Sequence, residues 1–358
     1  MSTIKVMVID DSAIVRRMLT DMLAGHADIE VVGSAPDPIV AREKIKLLEP
    51  DVLTLDIEMP RMDGVTFLRE LMREHPMPVV VISSLGERGS RIAMEALEAG
   101  AVEVIPKPGG PYSVGDLKDA LGHKVRAAAA AKGRLAFRSV RSAVTAPAAP
   151  IVKAATPAAH GFGGVLLTIG ASTGGTEAIY DVLTRLPADR VPGIVITQHI
   201  GPNFSRAFAQ RLDRTTAFTV KEAEGGEAIL PGTVWVAPGD LHLSVVRSGT
   251  GYQTVVKTGP QVCFQRPAVD VLFASVAEAA GAKAVAVLLT GMGSDGAQGM
   301  KRIRERGGWN IAQDEASSVV YGMPREAFKL GVVDKVAALK DVPMAIVAAV
   351  DAKLKRAA

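Results

Sequence analysis

The sequence predicts an α/β protein of two domains, each built on a doubly wound parallel sheet, with a β-hairpin excursion in the second. Three observations predict this class. The chain of 358 residues is longer than one hydrophobic core usually serves. Short apolar runs alternate with amphipathic segments in both halves, which is typical of parallel strands covered by helices. Between the halves the composition changes to Ala and Pro, as expected of a linker.

Five apolar runs near the N-terminus predict five strands. They are Ile4–Ile9, Ile29–Val32, Val52–Leu55, Val79–Ile82 and Val102–Ile105. Between them apolar residues recur at helical spacing, as Ile14, Met18 and Met22 do after the first run. Strands that alternate with helices form a parallel sheet, and ligands of such sheets bind beyond the carboxyl ends of the strands.

The middle of the chain is interpreted as a tether. AAAAAKGR extends the fifth helix, and SAVTAPAAPIVKAATPAAH then lacks any periodicity that could order it. The predicted domains are residues 1–124 and 164–352, joined by an Ala/Pro-rich basic linker at 125–163. An ordered segment that wraps around a domain is the alternative interpretation of the linker.

The second domain opens with the buried strand VLLTIG, and GIVITQHI and AVAVLLTG predict two more strands. Ile179, Val182, Leu183 and Leu186 mark the helix after the first of them. Four shorter β-like pieces, separated by Gly and Pro, predict an antiparallel excursion or a set of hairpins. They are FTVKEA, TVWVAP, LHLSVV and YQTVVK.

Charge and composition limit the function classes. The net charge is +3, but residues 124–162 hold seven Lys and Arg and no acid, which leaves −4 on the remainder. We therefore expect no nucleic-acid partner, because no folded element carries a basic face. No apolar stretch approaches the length of a membrane span, so direct membrane insertion is not expected. The single cysteine, Cys263, and the absence of a signal-peptide pattern favour the cytoplasm.

Polar residues follow four of the five N-terminal strands. Asp10, Asp11 and Asp56 converge at one sheet edge, where their repulsion calls for a hard cation such as Mg²⁺. Ser83 and Lys107 end the fourth and fifth strands, where a hydroxyl and an ammonium would stabilise an acyl phosphate on Asp56. The alternative is that the acids only cap the following helices.

These segments resemble the flavodoxin-like receiver domain of response regulators over residues 1–120. The motifs are VMVIDDSAIVRRML, DVLTLDIEMPRMDG, VVVISS and VIPKP. The resemblance implies that a histidine kinase phosphorylates Asp56, and that the carbonyl of Glu58 joins Asp10, Asp11 and Asp56 in binding Mg²⁺. It also implies Ser83 as the switch hydroxyl, with Ser84 as the alternative, and Lys107 as the phosphate-sensing cation.

A serine turn opens the second domain. Residues 170–174 read Gly-Ala-Ser-Thr-Gly between a buried strand and a helix, which is the context of a nucleophile elbow at Ser172. The same glycines could form a phosphate cradle. A phosphate loop would need a lysine close behind the glycines, and the chain has Thr176 and Glu177 there.

Two further strand ends supply partners for Ser172. His199 follows GIVITQ and is the expected general base, with His242 as the less favoured candidate. Asp295, in the glycine-rich loop LTGMGSDGA, is expected to orient the imidazole. The backbone N–H of Met292 in that loop is a candidate to stabilise an oxyanion.

The second domain resembles the catalytic domain of the CheB-type methylesterases over residues 164–350. The motifs are GASTGG, TQHI, APGDLHL, RPAVDVLF, LTGMGSDGA and IAQDEASSVVYGMPREA. The resemblance implies the triad Ser172, His199 and Asp295, with Thr173 beside the nucleophile and Met292 at the oxyanion site. Ala268 replaces a serine that is usual in the family.

The resemblance implies a phosphorylation-activated hydrolase of glutamyl methyl esters on methyl-accepting chemoreceptors. Glutamine deamidation by the same site is left open, and the esterase chemistry needs no cofactor. The implied partners are the chemoreceptors as substrate and a chemotaxis-type histidine kinase as phosphodonor. A rival hypothesis is a regulator whose output is binding to RNA or protein, which would not depend on Ser172.

Overall fold

The structure is a computed structural model that describes residues 3–59, 62–108, 114–133, 153 and 162–355. It divides into two compact units, Met1–Pro147 and Ala148–Ala358. Most of the predicted linker, residues 134–152 and 154–161, lies outside the described residues.

The N-terminal unit contains five strands that alternate with five helices. In chain order they are β1 (Ile4–Ile9), α1 (Ala13–Ala24), β2 (Ile29–Ala35), α2 (Pro38–Leu48), β3 (Val52–Asp56), α3 (Gly64–Glu74), β4 (Val79–Ser83), α4 (Glu87–Glu98), β5 (Glu103–Pro106) and α5 (Val114–Ala130). The strands form one parallel sheet in the order β2-β1-β3-β4-β5. The predicted five-stranded parallel fold is therefore confirmed.

The central strands of this sheet are buried on both faces. Every residue from Val79 to Ser83 is buried, as is every residue from Val52 to Asp56. Helices cover the two faces of a parallel sheet, so such strands are nearly continuous apolar runs. The order places the carboxyl ends of β1, β3, β4 and β5 side by side, which is where the candidate residues lie.

The fifth helix continues six residues beyond the predicted domain end at 124, and the three basic residues from Lys124 to Lys132 form ion pairs. Lys124 contacts Glu103 at 2.7 Å, Arg126 binds Asp28, and Lys132 binds Asp51. Lys153, further along, contacts Asp213 at 2.9 Å. Four of the seven basic residues of the linker region thus have acidic partners within their own unit, so its local charge is smaller than the sequence suggests.

The C-terminal unit contains nine strands and six helices within the described residues. They are β6 (Leu166–Ala171), α6 (Gly175–Arg185), β7 (Ile194–Gln198), α7 (Phe204–Thr215), β8 (Thr219–Glu222), β9 (Thr233–Val236), β10 (His242–Ser248), β11 (Gly251–Lys257), α8 (Val269–Ala280), β12 (Ala284–Leu288), α9 (Ala297–Glu305), β13 (Trp309–Gln313), α10 (Met323–Lys329), β14 (Lys335–Ala337) and α11 (Val342–Lys355). Seven strands form a sheet in the order β14-β13-β12-β6-β7-β9-β8, with every pair parallel.

Only two of the four short β-like pieces form the predicted antiparallel excursion. β10 and β11 pair as a hairpin, from His242 opposite Lys257 to Ser248 opposite Gly251. β8 and β9 instead extend the parallel sheet next to β7. The prediction that they are antiparallel was wrong, because short strands bounded by Gly and Pro have the same local pattern in either pairing. β13 and β14 were not predicted.

No helix within the described parts of the chain is both long enough and apolar enough to cross a membrane.

The Asp28–Arg126 pair gives a prediction about stability. Arg126 donates Nε and Nη2 to Asp28 at 2.7 and 2.8 Å, and this bond lowers the pKa of Asp28 from 3.8 to about 2. A lowered folded-state pKa contributes stability above pH 3.8 that is lost as the pH falls through about 2. Asp28→Asn should lower the free energy of unfolding at pH 7 by less than about 1 kcal/mol, since the pair is partly exposed.

Urea unfolding of the full chain, followed from pH 7 to acid, measures this difference. Asp21→Asn is the control, because Asp21 lies 3.8 Å from Arg17 and both side chains are highly exposed. An Asp28→Asn effect that is absent at pH 7, or that does not shrink on acidification, would contradict the prediction.

Candidate active site and acidic pocket

Three carboxylates meet at the carboxyl edge of the N-terminal sheet. Asp10 and Asp11 follow β1, and Asp56 is the last residue of the neighbouring strand β3. One oxygen from each lies within 4.8 Å of the other two. Asp10 and Asp56 are buried, whereas Asp11 is exposed. The structure therefore brings together the acids that the sequence predicts on one edge.

Neighbouring residues cap the helices beside these acids. The Ser12 hydroxyl accepts a hydrogen bond from the N–H of Val15 and caps α1. Asp63 accepts the N–H of Thr66 at 2.9 Å and caps α3. The alternative in which Asp10 and the other strand-end acids serve as caps is not the arrangement found.

The acidic pocket has the properties of a cation site. Oδ2 of Asp10 is buried and has no hydrogen-bond partner among the described residues. Burial, with the charge of Asp56 as a further cause, raises the pKa of Asp10 to about 6. A divalent cation would bind the unpartnered oxygen and cancel the repulsion, and an all-oxygen set suits Mg²⁺. The Glu58 N–H donates to Asp56 Oδ1 at 3.0 Å, so Glu58 adjoins the three acids.

Lys107 and Ser83 border the same pocket. Lys107 Nζ lies 2.7 Å from Asp56 Oδ2. Burial disfavours the ammonium, but the bond to Asp56 and the other nearby carboxylates outweigh it, so the pKa of Lys107 is raised. The Ser83 hydroxyl donates to the carbonyl of Gly89 in α4 at 3.0 Å. Ser83 is fully buried at the end of β4, whereas Ser84 follows the strand and is partly exposed.

In the C-terminal unit, Ser172 stands between β6 and α6. Its N–H donates to the carbonyl of Thr290 at 3.0 Å, and its carbonyl accepts the side-chain amide of Gln198 at 2.8 Å. Thr290 follows β12 and Gln198 ends β7, and these strands flank β6 on either side. Both neighbours of the central strand therefore fix the backbone of the serine.

The glycines after Ser172 are required by packing and backbone geometry. Gly174 has a φ of 75°, and a Cβ atom there would lie 2.7 Å from Val319. A Cβ atom on Gly175 would overlap the side-chain oxygen of Gln198. The two glycines are thus accounted for without a bound phosphate, which favours the nucleophile elbow over the phosphate cradle.

His199 and Asp295 form a buried pair beside the serine strand. His199 follows β7, and its N–H donates to the carbonyl of Ala171 at 3.1 Å. Nε2 of His199 lies 2.7 Å from Oδ2 of Asp295, and each side chain is 2% exposed. His242 instead binds the backbone: Nε2 donates to the Pro260 carbonyl at 2.9 Å. Asp295 thus contacts His199, the histidine expected as the general base, whereas His242 is hydrogen-bonded to the backbone of a loop.

Asp295 also caps helix α8 from a distant loop. Its Oδ2 accepts the N–H of Val269 at 2.7 Å, and its Oδ1 accepts the N–H of Asp270 at 2.8 Å. Ala268, at the N-cap position, offers no side-chain cap. The positive end of the helix dipole favours a carboxylate there. The start of α8 therefore helps to hold Asp295, a role that the sequence reasoning missed.

The loop that carries Met292 is held by backbone hydrogen bonds to the segment that leads into α10. Gly291 donates its N–H to Val320 at 3.0 Å, and its carbonyl accepts the N–H groups of Gly322 and Met323 at 3.0 and 2.9 Å. A Cβ atom on Gly322 would lie 3.1 Å from Cα of Met292. The segment IAQDEASSVVYGMP thus shapes the backbone at the candidate oxyanion site.

Thr290 and Gln198 are two supporting residues that the sequence reasoning missed. The Thr290 hydroxyl donates to the carbonyl of Thr173 at 2.9 Å, and the Thr290 N–H donates to Gln313 at 2.8 Å. Thr173 itself is buried next to Ser172. Both missed residues are polar, lie at or just after strand ends and belong to the motifs TQHI and LTGMGSDGA, which is the signal that could have identified them.

A carboxylate, a hydroxyl and an imidazole therefore follow three adjacent strands of the C-terminal sheet. β12, β6 and β7 are neighbours in the sheet, and Asp295, Ser172 and His199 follow them. A hydroxyl, an imidazole and a buried carboxylate are the groups needed for acyl transfer through a serine ester.

Two family models match the chain. Residues 6–119 match the response regulator receiver domain, and residues 167–346 match the CheB methylesterase. These ranges fall within the predicted domains 1–124 and 164–352.

Curated relatives match almost the whole chain. A protein-glutamate methylesterase/protein-glutamine glutaminase 2 of Syntrophus aciditrophicus is 50% identical over 347 residues, which cover 97% of this chain and 99% of that protein. The protein-glutamate methylesterase/protein-glutamine glutaminase of Salmonella typhimurium is 48% identical over 354 residues, or 98% of each chain.

A solved structure matches the C-terminal half. The crystal structure of the Thermotoga maritima CheB methylesterase catalytic domain is 38% identical and aligns with a TM-score of 0.50. The alignment covers 52% of this chain and 98% of that one.

Gly291 gives a prediction about the serine. A Cβ atom there would overlap Met323 Sδ and lie 2.7 Å from Ser172 Cβ. Gly291→Ala should therefore displace Ser172 and lower its rate of labelling by a fluorophosphonate by about 100-fold. Gly251→Ala is the matched control, since its nearest new contact is 3.9 Å. Wild-type labelling of Gly291→Ala would show that the serine tolerates the added methyl group.

Proposed function

Because the chain belongs to the CheB methylesterase family and carries a receiver domain before the catalytic domain, we propose that it is a phosphorylation-activated protein-glutamate methylesterase. The observation that carries the proposal is the buried 2.7 Å contact between His199 and Asp295, which follow the two strands that flank the strand before Ser172. Names of relatives at 48–50% identity support the same activity. The substrate is the glutamyl methyl ester of a methyl-accepting chemoreceptor, reached from the cytoplasm.

Ser172 is the nucleophile that attacks the ester carbonyl. Asp295 binds Nε2 of His199, so the serine proton passes to Nδ1 of the same ring. The carboxylate stabilises the imidazolium that forms, while the Met292 N–H supports the oxyanion. Methanol leaves with the proton from His199, and water then hydrolyses the acyl-enzyme. Each turnover leaves one new carboxylate on the receptor.

The same site also serves as a glutamine deamidase. The named relatives are glutaminases as well as methylesterases. Attack on a side-chain amide gives the same acyl-enzyme, and ammonia replaces methanol as the leaving group. The chemistry requires no additional residue, and the esterase site needs no cofactor.

The receiver domain controls the rate. A chemotaxis-type histidine kinase donates phosphate to Asp56. Asp10, Asp11, Asp56 and the Glu58 carbonyl would hold Mg²⁺ beside the phosphorylation site. Mg²⁺, when bound, neutralises charge on the phosphoryl group. Lys107, which lies 2.7 Å from Asp56, stays in reach of a phosphoryl oxygen. Ser83 exchanges its bond to Gly89 for one to the phosphoryl group, which alters α4.

Methanol release from methylated receptor membranes tests the esterase. Ser172→Ala should lower the rate by at least about a thousandfold, because the nucleophile is lost. Asp295→Asn should lower it by about 10⁴, because the imidazole loses its orienting charge. Ser248→Ala, at an exposed serine of β10, is the control. Unchanged release by Ser172→Ala would exclude Ser172 as the nucleophile, whereas no release of methanol or ammonia by either protein would favour a binding output. Ammonia release from receptors that carry glutamine at the same sites measures deamidation.

The same assay tests control by phosphorylation. A small phosphodonor with Mg²⁺ should raise the wild-type rate and leave that of Asp56→Asn unchanged, since the acceptor carboxylate is gone. Asp119→Asn, an exposed acid of α5, should respond as the wild type does. Stimulation that persists in Asp56→Asn would exclude Asp56 as the phosphate acceptor.

A further inference from the structure

A second group of metal-binding side chains lies next to Asp295. Cys263, the only cysteine in the chain, is exposed on the loop before α8. Its Sγ lies 3.9 Å from Oδ2 of Asp270, in the first turn of α8. One donor atom each of Cys263, Asp270 and Asp295 lies within 4.8 Å of the others. The three donors come from three separate segments of the C-terminal unit.

We infer that Cys263, Asp270 and Asp295 form a binding site for a thiophilic divalent cation such as Zn²⁺, and that its occupation inhibits the enzyme. The inhibition rests on the proposed esterase function, whereas the binding does not. This site is separate from the Mg²⁺ pocket, because its donors belong to the other unit and include a thiol.

The donor set selects the type of ion. One sulfur and two carboxylate oxygens suit Zn²⁺ or Cd²⁺, while Mg²⁺ and Ca²⁺ prefer oxygen alone. Three protein ligands leave a fourth position of a tetrahedral ion for water. Binding replaces the thiol proton of Cys263 by the metal, and the proton goes to solvent.

Access and support for the ion are also present. The thiol is exposed, so a cation from solvent reaches Cys263 first and then the half-buried Asp270 and the buried Asp295 behind it. Asp270 is already anchored, since its Oδ1 accepts the N–H of Gly299 at 2.6 Å while its Oδ2 faces the thiol. Asp295 is held by two N–H groups of α8. Little rearrangement of the two carboxylates is therefore needed.

Inhibition follows from the second role of Asp295. Its carboxylate contacts His199 at 2.7 Å and stabilises the imidazolium that forms during attack by Ser172. A cation bound to that carboxylate neutralises part of the negative charge that stabilises the imidazolium. The positive charge of the cation also repels an imidazolium nearby. The substrate site need not be blocked for the rate to fall.

Direct binding is measured on the full-length protein with Cd²⁺ in the presence of saturating Mg²⁺, which fills the acidic pocket. Cd²⁺ bound to a thiolate absorbs in the ultraviolet, and with one cysteine the signal has one source. Wild type should show the absorption, Cys263→Ser should not, and Asp270→Asn should weaken the affinity at least about tenfold. No absorption in the wild type, or equal affinity in Asp270→Asn, would overturn the site.

Inhibition is measured by methanol release with added Zn²⁺. Zn²⁺ should lower the wild-type rate at least about tenfold. Without metal, Cys263→Ser should release methanol at the wild-type rate, and added Zn²⁺ should not lower that rate. Equal inhibition of the two proteins by Zn²⁺ would overturn the inhibitory role. So would a wild type whose bound Cd²⁺ is displaced by Zn²⁺ but whose rate of methanol release does not fall. If the metal-free wild type releases no methanol, the proposed function fails, and the Cd²⁺ absorption still decides the site.

Discussion

Both units depend on the same constraint, which is that parallel strands present all their carboxyl ends at one edge of a sheet. In the N-terminal unit this edge collects Asp10, Asp56 and Lys107. In the C-terminal unit it collects Ser172 and His199. The residues of each site are far apart in sequence and belong to different strands, so the hydrogen-bond ladder of the sheet sets their spacing. A site of this kind is only as accurate as the pairing of its strands.

Asp295 connects the sheet edge to the helices above it. Its two oxygens satisfy an imidazole and two N–H groups at the start of α8. A buried carboxylate without such partners would be costly, and with them it is held in one orientation. The carboxylate that contacts His199 is therefore fixed by the same bonds that begin a helix, so the packing of α8 and the geometry of the His199–Asp295 pair are coupled. The same crowding places Asp270 and Cys263 beside it, and burial with the charge of Asp295 raises the pKa of Asp270 to about 6.

Glycines in the two loops at this edge leave space for neighbouring side chains. Gly174 and Gly175 allow the turn after Ser172 and the close approach of Val319 and Gln198. Gly291 lets Ser172 and Met323 pack against the backbone of the loop that carries Met292. In both places a side chain would occupy space that Ser172 or its neighbours fill. Packing around Ser172 therefore accounts for the glycines at these positions.

The sequence by itself determined the family, the fold class and the strand-end positions of the candidate residues, because apolar periodicity and local motifs are properties of neighbouring residues. The predicted family and fold are confirmed by the comparisons and by the parallel sheets. Only the tertiary structure decided that β8 and β9 are parallel, since strand pairing depends on distant chain segments. It also decided that α8 caps Asp295 and that Thr290 and Gln198 hold Ser172, contacts that span from 26 to more than 100 residues of sequence. No local pattern records such contacts, because they exist only after the strands have assembled.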